Sequence, residues 1–92
     1  MIIQLISLRP FKSMYSNGSI KRLQFRDIET KVTYTGYLDP KNAELFNTVF
    51  PTLKVGALYV GYTHPKRQSI NMRKLTLSAV QPVISVQLAF DL

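Results

Sequence analysis

Ninety-two residues, 46% of them hydrophobic and with a mean hydropathy of +0.01, suffice for one packed domain and argue against disorder. Twelve Lys and Arg against five Asp and Glu leave a formal charge of +7. With no cysteine and a single histidine, His64, neither a disulfide framework nor a thiolate metal site is available.

The dominant pattern is apolar–polar alternation, the period of a half-buried strand. Residues 2–9 read as a first strand in which Leu5 and Ile6 are both apolar, the mark of a bulge or of burial on both sides. Pro10 interrupts the pattern, and Ser16-Asn17-Gly18-Ser19 carries the signal of a tight hairpin turn. A second strand over residues 20–26 turns Leu23 and Phe25 inward and Arg22, Gln24 and Arg26 outward. After a turn at Asp27-Ile28-Glu29, a third strand over residues 30–38 sets Val32, Tyr34, Gly36 and Leu38 against Lys31, Thr33, Thr35 and Tyr37.

The period then changes. Asp39 suits an N-cap, Pro40 a first helical position and Glu44 a first turn, while Ala43, Leu45, Phe46, Val49 and Phe50 form an apolar stripe that Pro51 ends. A fourth strand spans residues 57–63, with Leu58, Val60 and Tyr62 on one side. A polar, basic loop spans residues 64–71. A fifth strand, residues 72–80, turns Leu75, Leu77 and Ala79 inward, and a sixth, residues 83–90, is appended after it. Three strands, a helix and two more strands is the order of the OB-fold. The expected class is therefore all-β with one short helix: a small OB-fold-like Greek-key barrel of five strands plus an appended C-terminal strand, in one nucleic-acid-binding domain over residues 1–92. A meander with a helical plug is the competing arrangement.

Charge is segregated along this order. Asp27, Glu29, Asp39 and Glu44 sit in one window. Residues 1–26 and 45–90 carry cations and no carboxylate side chain. Two one-signed blocks interleaved with aromatics point to a polyanion. In an OB-fold the loops joining strands one to two and four to five flank the binding face. The first of these regions brings Phe11, Lys12, Met14, Tyr15, Lys21 and Arg22, the strand faces bring Arg26, Lys31 and Tyr37, and the second loop brings His64, Lys66, Arg67, Arg73 and Lys74. Cations neutralise phosphates and exposed rings stack on unpaired bases. The candidate nucleic-acid-binding set is accordingly Phe11, Lys12, Tyr15, Lys21, Arg22, Arg26, Tyr37, Lys66, Arg67 and Arg73.

Each member has a plainer explanation. Outward Lys and Arg solubilise and protect sheet edges, and Phe11 or Tyr15 could close the barrel end or a dimer contact. Phe25, Tyr34, Phe46 and Phe50 read as core. Tyr59 and Tyr62 alternate faces, so at most one points outward. His64 reads as a strand end. No catalytic or metal-binding constellation emerges, and no cofactor or small-molecule substrate is implied, so an enzyme is not expected.

The stretch Gly56-Ala57-Leu58-Tyr59-Val60, the basic loop and Ile70-Asn71-Met72-Arg73-Lys74-Leu75-Thr76-Leu77 resemble the C-terminal half of filamentous-phage gene V-type single-stranded DNA-binding proteins. The N-terminal arrangement of strand, loop with cations and aromatics, Asn-Gly and cationic strand is similar too. The resemblance covers about residues 2–80. It departs in the length of the helix over residues 40–50 and in the segment after Gln81. It implies an OB-fold homodimer coating single-stranded DNA during phage or mobile-element replication, with Tyr15 near a DNA-binding wing.

The expected function is sequence-tolerant single-stranded DNA binding by a homodimer in the cytoplasm, a bacterial host's if phage-encoded, with no membrane partner. Residues 2–8 are apolar ahead of the first charge, unlike a signal peptide, and residues 79–90 are too short and too interrupted to span a bilayer. An RNA-binding OB module presents the same surface. A structural or protein-interaction role in a virus or mobile element would use the basic blocks on an acidic partner. The appended strand serves equally as dimer seam or barrel closure.

Overall fold

A computed structural model describes residues 1–13 and 16–81 of the chain. Alternation produces two long strands, β1 (Ile2–Ser13) and β2 (Ser16–Asp27), paired antiparallel from Ile3↔Asp27 to Ser13↔Ser16. β3 (Thr33–Leu38) pairs with the other edge of β2, β4 (Leu58–Val60) with the other edge of β1, and β5 (Thr76–Leu77) with β4. The order is β3-β2-β1-β4-β5, antiparallel throughout. The chain ahead of β5 returns to the far border through a parallel bridge, Thr35↔Ser69. There Thr35 N–H donates to the Gln68 carbonyl at 3.3 Å and Ile70 N–H to the Thr35 carbonyl at 2.9 Å. The two borders of the sheet are thereby tied, and it curls around a core of Ile3, Leu5, Leu23, Phe25, Leu38, Val49, Tyr59, Ile70, Met72 and Leu75.

The mainly antiparallel, five-stranded class agrees with the sequence, but several local expectations change. The first hairpin is longer than expected. Pro10 does not end β1: it pairs with Lys21, beyond the stretch Ile2–Gln4 that β4 covers and next to a register irregularity, the kind of place in a sheet where proline is tolerated. Asn17-Gly18 is not the turn either. Asn17 pairs with Lys12, and Gly18, with φ +99°, lies in a bulge where Phe11 alone faces residues 18–20.

The doubled apolar pair Leu5-Ile6 does mark a bulge. Between Leu5↔Phe25 and Ser7↔Gln24 the register shifts by one residue, leaving Ile6 as the extra one. Ile3 and Leu5 point inward before it. After it the parity reverses, so Leu8 packs against the core and Arg9 is exposed.

The third strand begins at Thr33, later than expected. The Asp27 carboxylate accepts the Glu29 and Thr30 N–H groups at 2.8 and 3.2 Å, and Lys31 turns in the left-handed region with φ 65°. Lys31 therefore lies in a turn, with Nζ donating to the Ile28 carbonyl at 2.9 Å, and Val32 is exposed. The helix α1 (Ala43–Val49) also starts late. Asp39 Oδ1 accepts Lys41 N–H at 2.9 Å in a local turn, and Asn42 is the N-cap, its Oδ1 accepting Leu45 N–H at 3.4 Å. Pro51 sits inside a following 3-10 turn, Phe50–Thr52. Phe50, expected in the core, is exposed and stacks on Phe46 with centroids 4.9 Å apart.

Alternation continues in β4, where Tyr59 is fully buried between the half-buried Leu58 and Val60, so of the two tyrosines it is Tyr62 that is exposed. Burial of Tyr59 is tolerable because its hydroxyl donates to the Thr52 carbonyl at 2.6 Å and accepts Lys54 N–H at 2.9 Å. Residues 72–80 were expected as one strand. Instead Asn71 Oδ1 accepts Arg73 N–H at 3.2 Å and starts a 3-10 turn, Met72–Lys74, before the short β5. The buried positions become Ile70, Met72, Leu75 and Ser78, and Leu77 and Ala79 are exposed. The expected sixth strand lies outside the described residues.

Candidate nucleic-acid interface

Register fixes which side chains share the outer face of the curled sheet. Across β1, β2 and β3 the aligned rows are Gln4–Arg26–Thr33, Ser7–Gln24–Thr35 and Arg9–Arg22–Tyr37. Arg9, Arg22, Arg26 and Tyr37 are all exposed. No carboxylate occurs in any row. The nearest in sequence, Asp27, is held by the Glu29 and Thr30 N–H groups, which keep its pKa below the ordinary carboxylate value. Arg9 and Arg22 are directly opposed with no carboxylate in their row, an arrangement of like charges that by itself costs a sheet stability.

Two residues beyond Arg9 on the same side, Phe11 meets Tyr37 edge to face, with centroids 5.3 Å apart and planes at 72°. The two rings form one connected platform instead of two separate ones. Tyr37 also walls a cavity of about 580 Å³ lined by the cations Arg67 and Arg73, by His64, and by apolar residues that include Ile70 and Met72. Close passage of β3 over Met72 shapes this cavity: a Cβ at Gly36 would lie 2.7 Å from Met72 Sδ. Tyr37 thus touches Phe11 of the hairpin and also borders the cavity lined by the 64–73 region.

The other candidates are placed less uniformly. Arg73 also borders a smaller cavity, about 240 Å³, shared with Glu44. Lys66, at φ 62° in the 64–69 turn, is exposed but does not line the larger cavity. Lys12 is exposed and runs over Gly18, whose Cβ position is 3.6 Å from Lys12 Cε. Lys21 falls on the opposite side of β2 from Arg22, and its Nζ donates to the Gly18 carbonyl at 3.3 Å. It therefore does not join the arginine row. Tyr15 lies outside the described residues. One position escapes the sequence reading: Arg9 shares the parity of Ile3 and Leu5 and looks inward until the bulge at Ile6 is counted. His64, read both as a strand end and as part of the second basic loop, is exposed in that loop. Its N–H donates to the Ser69 carbonyl at 3.0 Å, which orders the loop, while its side lines the cavity.

Among the described residues no group of three or more His, Asp or Glu is placed to hold a metal ion, and no helix is long and apolar enough to cross a membrane. No family model, curated protein or solved structure matches the chain.

Proposed function

We propose that the chain is a sequence-tolerant single-stranded DNA-binding protein on an OB-fold-like barrel. The observation that carries this reading is the position of Tyr37, in contact with Phe11 on one side and walling the cavity of Arg67 and Arg73 on the other. A polyanion lying across that ring would meet Arg22 and Arg26 of the hairpin and Arg67 and Arg73 of the loop, while its unpaired bases stack on the aromatic step. The tied sheet borders, the β1 strand shared between β2 and β4, and the helix after β3 support the barrel. A homodimer coating DNA during phage or mobile-element replication is the biological setting that the gene V-type resemblance suggests.

The test is a gel-shift comparison of single-stranded DNA, RNA and duplex of equal length, with tyrosine fluorescence followed in parallel. The chain has no Trp and five Tyr, so stacking on Tyr37 should quench its emission. Single-stranded DNA should bind with quenching and with a slope of log affinity against log salt of about −2.8 for the four phosphate contacts of Arg22, Arg26, Arg67 and Arg73. Equal affinity for duplex, with no quenching, would reduce the face to a plain polycation. Clear preference for RNA would move the function to an RNA-binding module.

A further inference from the structure

We infer that the notch between Arg9 and Arg22 is a phosphate-binding subsite, occupied by a phosphodiester of the bound strand; this rests on the strand-binding reading above and extends it from β2 and β3 onto β1. The notch is an outward cavity of about 360 Å³ lined by Ser7, Arg9, Arg22 and Gln24. These four residues form two successive cross-strand pairs, Ser7↔Gln24 and Arg9↔Arg22, with Leu8↔Leu23 facing the core between them. Two guanidiniums at the same register level would repel, yet both are exposed with neutral hydrogen-bonding neighbours and no carboxylate in the row. Guanidinium pairs match phosphate oxygens in a fork geometry, and Ser and Gln add neutral donors.

The fold makes this arrangement through one specific irregularity. Without the extra residue Ile6, continued alternation would put Arg9 on the same side as Ile3 and Leu5 and would turn Leu8 out. The bulge serves both needs, burying Leu8 and re-aiming Arg9, which is the usual effect of a bulge beside a binding site. Phe11 and Tyr37 complete the neighbourhood: Tyr37 is the partner of Arg22 on β3, and Phe11 follows Arg9 on β1. An aromatic step beside a guanidinium pair fits a nucleotide, base on the rings and phosphate in the notch. An acidic peptide would leave the rings unused.

The experiment titrates the full chain with a thymidine oligonucleotide at several salt concentrations, using wild type, Arg9→Gln and Arg9→Lys. Arg9→Gln should weaken binding roughly tenfold at low salt, the scale of a charge-assisted hydrogen bond, and should flatten the salt slope by about 0.7. Arg9→Lys should keep the slope and lose only part of the affinity. In parallel, thermal unfolding in inorganic phosphate is compared with chloride at matched ionic strength; phosphate should raise the midpoint of wild type and not of Arg9→Gln. An Arg9→Gln variant with wild-type affinity and slope would overturn the subsite while leaving strand binding intact. No affinity of wild type for the oligonucleotide would overturn the strand as occupant. Phosphate protection lost in Arg9→Gln would then assign the notch to free phosphate, and absence of that protection would overturn the subsite itself. Equal Arg9-dependent binding of a polyglutamate peptide would overturn the preference for phosphate.

Discussion

Replacing Tyr37 and Phe11 by Leu, singly and together, asks whether the two rings act as one platform. Their edge-to-face contact at 5.3 Å should couple them in folding by about 0.5–1.5 kcal/mol beyond simple burial. Tyr37 is 47% exposed, so roughly half of a ring surface of about 200 Å² is buried, worth about 2.5 kcal/mol at ~25 cal/mol/Å². Leucine retains most of that burial, so the coupling should stand out in urea unfolding of the four proteins. In binding, the loss of a stacked base is worth about 1–3 kcal/mol, or about 5- to 150-fold in affinity for Tyr37→Leu. Phe11→Leu in that background should cost little more, because the edge it braces is already gone. Oligonucleotide titration of the same four proteins reads this directly. Effects that add within about 0.3–0.5 kcal/mol in both assays would refute a shared platform.

Three further outcomes follow from the core and the turns. Gly61→Ala would place a Cβ 2.6 Å from Cδ1 of the fully buried Ile3 and should destabilise by about 1–3 kcal/mol in urea unfolding. Adding Ile3→Val, which removes that methyl, should make the pair less damaging than the sum, and strict additivity would contradict the clash. Tyr59→Phe strands the Thr52 carbonyl and the Lys54 N–H and should cost about 1–3 kcal/mol by the same measurement. Burial also pushes the Tyr59 phenol up, so the unfolded chain loses that proton first and stability falls as pH rises past about 10; this part of the alkaline slope should vanish in Tyr59→Phe. For Asp27 the sign is opposite. Its carboxyl is held low by two backbone N–H groups, so its contribution is present at neutral pH and is lost as pH falls from about 4 through its native pKa. A pH series of unfolding midpoints should show a shallower acid decline for Asp27→Asn, and an unchanged decline would show that the turn gains nothing from the charge.

How much of this was legible in the sequence differs between the halves of the chain. Strict alternation over residues 20–26 fixed the faces of β2 correctly, since Leu23 and Phe25 are fully buried and Arg22 and Arg26 are exposed. The order of elements was legible for the same reason: the change from period two after Leu38 is real, although local capping by Asp39 and Asn42 moves the helix start. Irregular positions were harder. Asn-Gly reads as a turn from local propensity, yet pairing of Asn17 with Lys12 keeps it in a strand and spends the positive φ of Gly18 on a bulge. Past α1, side-chain and backbone hydrogen bonds decide what alternation does not. Asn71 turns the chain before β5, and the hydroxyl of Tyr59 finds two partners inside. In the candidate site, charge segregation along the sequence pointed to both cationic regions. Membership of the face depended on register, which moved Lys21 away and brought Arg9 in.

The central claim is that the hairpin and the 64–73 region touch the same bound strand. The most direct measurement is the salt dependence of oligonucleotide affinity at one-to-one stoichiometry for wild type, Arg22→Ala, Arg67→Ala and the double variant. Each single change should reduce the slope by about 0.7 and the double change by about 1.4. A slope unaltered by either substitution, or a double variant no different from one of its parents, would contradict a continuous face across Tyr37.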